Sequence, residues 1–289
     1  MNQAVRRWGI LSGLLILFSF LAMLFFALRS PGSGGNFFAG LGKGKIGVIE
    51  IRGAITDSGL LVERLHKFRQ DDSIKGVVLR VDSPGGEVAP VQEIYEEIIR
   101  LREKKPVVAS LGSVSASGGF YVAVAADRVF ANPGTLTGSI GVIMETVNVE
   151  GLLHWAKIET KTIKSGKFKD IGSPLRKMTP EEEAYLQKLA NGINRQFIQA
   201  VSRSRKLPLA KVTSLADGRV FSGVEAKSLG LVDELGSFQR AVDYLAGKVG
   251  ISGEPVLVYP SSRFPRWRDL LENQNSSSSR LRLKFDSGW

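Results

Sequence analysis

From Lys45 onward the chain alternates between two kinds of apolar spacing. Short apolar runs at about 45–52, 76–81, 106–111, 128–131, 158–164 and 255–259 read as strands. Between them, apolar residues recur every three or four positions, as the buried stripe of an amphipathic helix requires. Leu61, Leu65 and Phe68 form one such stripe, and Val91, Ile94, Ile98 and Leu101 form another, backed by Glu93, Glu96, Glu97 and Arg100. A third carries Leu186, Leu189, Ile193, Phe197 and Val201. It is preceded by Thr179-Pro-Glu-Glu182, a capping box with proline at the first helical position. Ser222-Gly-Val-Glu225 caps a shorter helix in the same way. Strands alternating with helices argue an α/β fold.

The ends of the chain follow different patterns. Gly9–Leu28 is an uncharged apolar run bracketed by Arg6, Arg7 and Arg29. About 20 helical residues span a hydrocarbon core, so residues 1–29 read as a retained membrane anchor. Residues 30–44 are rich in Gly, Ser and Pro and read as a flexible linker. The folded domain is then expected over 45–260. Beyond it, 261–289 carries Arg263, Arg266, Arg268, Arg280, Arg282 and Lys284, broken by Ser276–Ser279, and reads as a basic, mobile tail. The alternative is a tail folded back towards a substrate groove.

Composition narrows the chemistry. The net charge of +11 raises nucleic acid as a partner, but no nucleic-acid-binding module is present, and a basic surface beside anionic lipid is the simpler reading. Long domains cross membranes largely regardless of flanking charge, which favours a catalytic domain outside the cytoplasm. With no cysteine and only His66 and His154, ligand spacings for a metal are missing, and no cofactor is implied. Both histidines read as surface or packing residues, which leaves a serine–histidine–aspartate triad few candidates.

The chemistry concentrates at two turns. The strand Pro106–Leu111 gives way to Gly-Ser-Val-Ser-Ala-Ser117-Gly-Gly-Phe-Tyr121. A serine opening a helix beside glycines can present its oxygen to a carbonyl, although serine is also an ordinary helix cap. Upstream, Asp82-Ser-Pro-Gly-Gly86 follows a second strand, and its backbone N–H groups are candidate donors to an oxyanion. The remaining base is lysine, which must be neutral to accept a proton. Lys164, Lys167 and Lys169 all follow the expected strand 158–164, and composition does not choose among them.

Together these stretches resemble the signal peptide peptidase A family, serine–lysine peptidases of the Clp protease/crotonase fold. The resemblance rests on Asp82–Gly86, Ser115–Tyr121, Gly134–Val142, Ser165–Asp170 and Ala216–Gly223, in family order. It implies a repeated ββα superhelix, Ser117 as nucleophile and Lys169 as general base. It further implies Ser139 as the residue orienting the lysine, and Gly86 and Gly118 as oxyanion-hole N–H donors. Phe120 stands where many members carry tyrosine. The chain resembles the short, single-repeat form, which implies a homo-oligomer whose neighbouring subunits share each active site. The implied substrates are remnant signal peptides and other unfolded hydrophobic peptides at the cell membrane. Alternatives on the same fold are an inactive scaffold and a crotonase-type acyl-coenzyme A enzyme.

Overall fold

The computed structural model describes residues 44–260 and 283–285. In chain order the elements are β1 (Lys45–Arg52), α1 (Gly59–Gln70), β2 (Ile74–Ser83), β3 (Gly86–Glu87), α2 (Val88–Arg102), β4 (Val107–Ala116) and α3 (Gly118–Ala123). Then come β5 (Arg128–Ala131), β6 (Leu136–Gly138), β7 (Ile143–Met144), α4 (Glu150–Trp155), α5 (Pro180–Arg205) and α6 (Leu209–Leu215). The last are β8 (Val220–Ser222), α7 (Gly223–Leu229), β9 (Glu234–Leu235), α8 (Phe238–Lys248), β10 (Val256–Val258) and β11 (Leu283–Phe285).

The main sheet runs β10-β1-β2-β4-β5-β9, and every pairing along it is parallel. Parallel strands need crossover helices, which cover both faces and make the central strands apolar throughout. Side chains sort accordingly by their twofold alternation. Ile49, Leu79, Ala109 and Leu111 pack into one core with Leu65, Ile94, Ile98 and Phe197 from the helices. Ile46, Val78, Val108 and Phe130 face the other way, onto Ala241, Val242 and Leu245 of α8.

β6 continues the sheet at the far end of β4, pairing parallel with it and antiparallel with β8. This extension sets Ala116 against Gly138, so the residues that follow, Ser117 and Ser139, leave their strands side by side. A small second sheet, β3-β11-β7, lies apart from the first.

Both expected capping boxes are present, Thr179 with Glu182 and Ser222 with Glu225. Of the α5 stripe, Phe197 and Val201 are fully buried, whereas Leu189 is 42% exposed and serves no core here. One expected strand is absent. Residues 158–164 form no ladder, and Ile158 and Ile163 are 53% and 90% exposed. Alternating β-branched residues specify a strand only where a neighbouring strand and a buried face receive them.

Among the described residues no helix is long and apolar enough to cross a membrane. The run read as an anchor, within 1–29, lies outside the described residues, as does the linker apart from Gly44. Of the tail read as mobile, Leu283–Phe285 is held as a strand between β3 and β7.

Candidate active site

Ser117 ends β4 and caps α3 with φ 52° and ψ −121°, a conformation that costs a non-glycine residue on the order of 1–3 kcal/mol. The surroundings hold it there. Its N–H donates to the Gly138 carbonyl at 2.8 Å, and its own carbonyl accepts from Tyr121 N–H at 2.9 Å. The side chain is nearly enclosed, at 1% exposure, and its Oγ has no hydrogen-bond partner. A hydroxyl buried without a partner costs about 1–3 kcal/mol. A nucleophile opening a helix is expected to hold an open oxygen, whereas Ser117 is enclosed.

Glycine is what allows the chain to pack this closely around Ser117. A Cβ on Gly118 would stand 2.7 Å from Val91 Cγ2, 3.2 Å from Gly85 Cα and 3.3 Å from Gly86 N. The turn after β2 therefore meets the turn after β4 through bare backbone, as the sequence reading of a shared rim requires. Gly118 opens α3, so its N–H has no partner within the helix. Gly86 N lies beside it, and Gly86 itself is seated against the backbone of Ile55. A Cβ at Gly119 would collide with the Ser83 carbonyl. Asp82 braces the approach, accepting from Val114 N–H at 3.0 Å.

Ser139 also has positive φ, 49°, and is 6% exposed. Its N–H donates to the Arg219 carbonyl at 2.9 Å. Arg219 is in turn gripped by the Asp217 carboxylate, whose Oδ1 and Oδ2 take Nε at 2.9 and 2.8 Å. Asp217-Gly-Arg reads in sequence as a turn without chemistry; its structural work is to brace Ser139.

The three lysines separate. Lys164 pairs with Asp170 at 2.6 Å and Lys167 with Glu181 at 2.5 Å. Lys169 is exposed and has no carboxylate partner among the described residues. Phe168, which could have covered its amine, stacks on Tyr185 with ring centroids 5.3 Å apart. Asp170, the neighbouring carboxylate, is already taken. Arg176 Nε and Nη2 reach its two oxygens at 2.8 Å each, and the same guanidinium donates to both Glu182 oxygens at 2.8 and 2.6 Å. These charge-assisted bonds hold the Asp170 carboxyl well below the usual carboxylate range and bring Glu182 from an ordinary 4.5 to about 2. Because Glu182 is also the reciprocal residue of the α5 capping box, the Lys169 loop is fastened to that helix end. The sequence reading missed this clasp; an arginine six residues after Asp170 and six before Glu182 was its only trace.

Ser117, Ser139, Gly86 and Gly118 thus come together at the β4 end of the sheet, whereas Lys169 makes no bond to Ser117 within this chain. Neither histidine bonds Ser117 within this chain. His66 lies beside Arg69 and Glu97, and His154 is exposed on α4. Among the described residues no group of acidic and histidine side chains could hold a metal ion.

Residues 99–252 match the profile of peptidase family S49, and residues 46–136 match that of Clp protease. The chain belongs to peptidase family S49. As a member of S49 it is a serine protease. It is 43% identical over 213 residues to a Synechocystis protein provisionally named a protease, covering 73% of this chain and 77% of that one. It is 33% identical over 229 residues to a protein of Enterococcus faecium provisionally named signal peptide peptidase SppA, covering 74% and 67%. A chloroplastic serine protease of Arabidopsis thaliana named SPPA is 36% identical over 192 residues, which cover 66% of this chain and 28% of that protein.

Proposed function

We propose that this S49 peptidase is a membrane-anchored serine endopeptidase with a repeated ββα superhelix and a Ser117–Lys169 dyad completed between neighbouring copies. The supporting observation is the strained, enclosed Ser117 whose hydroxyl has no partner in its own chain, beside two glycine turns. Ser117 Oγ attacks the scissile carbonyl, and the neutral Lys169 amine of an adjoining subunit takes its proton. The N–H groups of Gly86 and Gly118 hold the oxyanion; as it collapses the C–N bond breaks and the lysine passes its proton to the departing amine, and water then hydrolyses the acyl ester to a carboxylate and restores the Ser117 hydroxyl. Ser139 orients the amine. Insertion beneath a neighbour would enclose Lys169, which its own exposed loop does not. Arg176 fits the same scheme, since with Lys164 it occupies the carboxylate next to Lys169 in sequence and leaves that amine free of it.

The substrates are remnant signal peptides, which the name of the SppA relative mentions, and other unfolded hydrophobic peptides. The run Gly9–Leu28 anchors the chain in the cell membrane with its catalytic domain on the extracytoplasmic side, and residues 30–44 act as the tether. A serine-reactive probe on the full chain tests the dyad. Labelling is lost in Ser117→Ala and Lys169→Ala and retained in Lys164→Ala and Lys167→Ala, at unchanged assembly size. Labelling at the normal rate in Lys169→Ala would refute the assignment.

A further inference from the structure

Gly85 and Gly86 follow one another, so no side chain of their own fixes the peptide unit that joins them. That unit is planar and trans. Its oxygen is the Gly85 carbonyl and its hydrogen is the Gly86 N–H, and the two point in opposite directions. Whatever holds the carbonyl therefore aims the N–H. A half-turn of this unit, which two glycines allow, would swing the N–H away from Ser117.

Three bonds oppose that half-turn. Ile55 N–H donates to the Gly85 carbonyl at 2.8 Å, and Glu87 N–H donates to the Ile55 carbonyl at 2.7 Å, so the Ile55 backbone grips both sides of Gly86. The third comes from a side chain. Ser83 Oγ accepts the Gly85 N–H at 3.2 Å and makes a longer contact of 3.5 Å with the Gly85 carbonyl oxygen. A serine closing onto the N–H two residues ahead shapes a turn. Here it holds Gly85 at φ 117°, which residues with a side chain rarely adopt. Ser83 is 0% exposed, and α3 packs straight onto it: a Cβ on Gly119 would lie 3.2 Å from Ser83 Cβ.

We infer that Ser83 is a positioning residue for the oxyanion donor, its hydroxyl locking the Gly85–Gly86 peptide in the orientation that aims the Gly86 N–H at the reacting carbonyl. The inference rests on the oxyanion role given to Gly86 above. Ser83 makes no bond to Ser117 Oγ, so it acts on the reaction only through the turn. The neighbouring strand carries a built-in comparison. Ser115 lies opposite Ser83 in the sheet and is equally buried, yet its hydroxyl has no partner among the described residues. Two serines at one level of the sheet thus differ in a single respect: one bonds the turn and the other bonds nothing.

The test compares full-length Ser83→Ala and Ser115→Ala with the parent chain on a hydrophobic peptide. Ser83→Ala should lower kcat by roughly 10- to 100-fold, approaching the loss of an oxyanion donor itself, and hold KM within about twofold. Ser83→Cys fills the site but accepts hydrogen bonds weakly, so it should fall between the two and serves where the alanine variant does not fold. Ser115→Ala should keep the parent kcat. A pair of inhibitors gives the second readout. A peptide aldehyde, whose tetrahedral adduct with Ser117 sets an oxygen at the oxyanion position, should lose affinity in Ser83→Ala by the same factor as kcat. The matching peptide alcohol forms no adduct and should bind as before. A kcat within about twofold of the parent in the Ser83 variants would overturn the inference. An equal loss in Ser115→Ala, or equal weakening of aldehyde and alcohol, would do so too. None of these results touches the Ser117 assignment, which falls instead if parent and Ser117→Ala chains hydrolyse the peptide alike.

Discussion

Arg176 grips Asp170 through two hydrogen bonds of 2.8 Å, one residue along from Lys169. Through Glu182 the same guanidinium reaches the first turn of α5, so the position of the proposed base is set by an arginine that touches neither Ser117 nor a substrate. Arg176→Ala should lower kcat/KM by roughly 10²-fold, the scale expected when a reacting group shifts by about an ångström. Arg176→Lys should recover only part of it, since an ammonium cannot reproduce the four-bond fork. Unchanged far-UV circular dichroism alongside lost probe labelling would separate positioning from unfolding.

The clasp also carries a pH dependence. The carboxyls of Asp170 and Glu182 are depressed in the folded chain, Glu182 to about 2 from an ordinary 4.5. Their contribution is fully present above the unfolded carboxylate range and is lost as pH falls through the folded values. Hydrogen-exchange protection around 165–182 should therefore hold from neutrality down to about pH 4.5 and fall progressively towards pH 2. In Arg176→Ala protection should already be lower at neutrality and this fall towards acid should largely disappear, because the carboxyls return towards their ordinary values.

Strain at Ser117 makes a stability prediction of unusual sign. Ser117→Gly should abolish hydrolysis yet stabilise the fold by about 1 kcal/mol, roughly 2–4 °C in melting temperature, because glycine adopts positive φ freely. Ser117→Ala abolishes hydrolysis while keeping the strain, so its melting point should stay below that of the glycine variant. Thermal melts of the two variants decide it.

Asp217→Ala should loosen Arg219, whose carbonyl fixes the backbone of Ser139. The pair is solvent-exposed, so stability should change by no more than about 0.5 kcal/mol, whereas kcat should fall by about tenfold from displaced geometry. A melting curve and a peptide assay on one preparation separate the two effects.

These particulars mark how far the sequence could be read. The strands β1, β2, β4 and β5, both capping boxes and the two glycine turns were legible, because each depends on local spacing and on residues within a few positions. The meeting of those turns could be expected from two parallel strands ending at one edge. The Arg176 clasp could not, since its partners carry charges that in sequence look like solvated surface. Nor could β11, whose Leu281, Leu283 and Phe285 alternation is short and lies within a tail dominated by arginine and serine. The strand expected at 158–164 failed for the opposite reason: its local pattern is sound, but no neighbouring strand among the described residues receives it.

The most direct measurement mixes subunits. Full-length Ser117→Ala and Lys169→Ala chains, each inactive, are unfolded together and reassembled in equal amounts, then assayed on a hydrophobic peptide. If each site takes its serine from one copy and its lysine from the next, about a quarter of the sites are intact by random assembly and activity returns to that fraction of the wild-type level. A mixture as inactive as its parents, at the same assembly size, would contradict a dyad shared between chains.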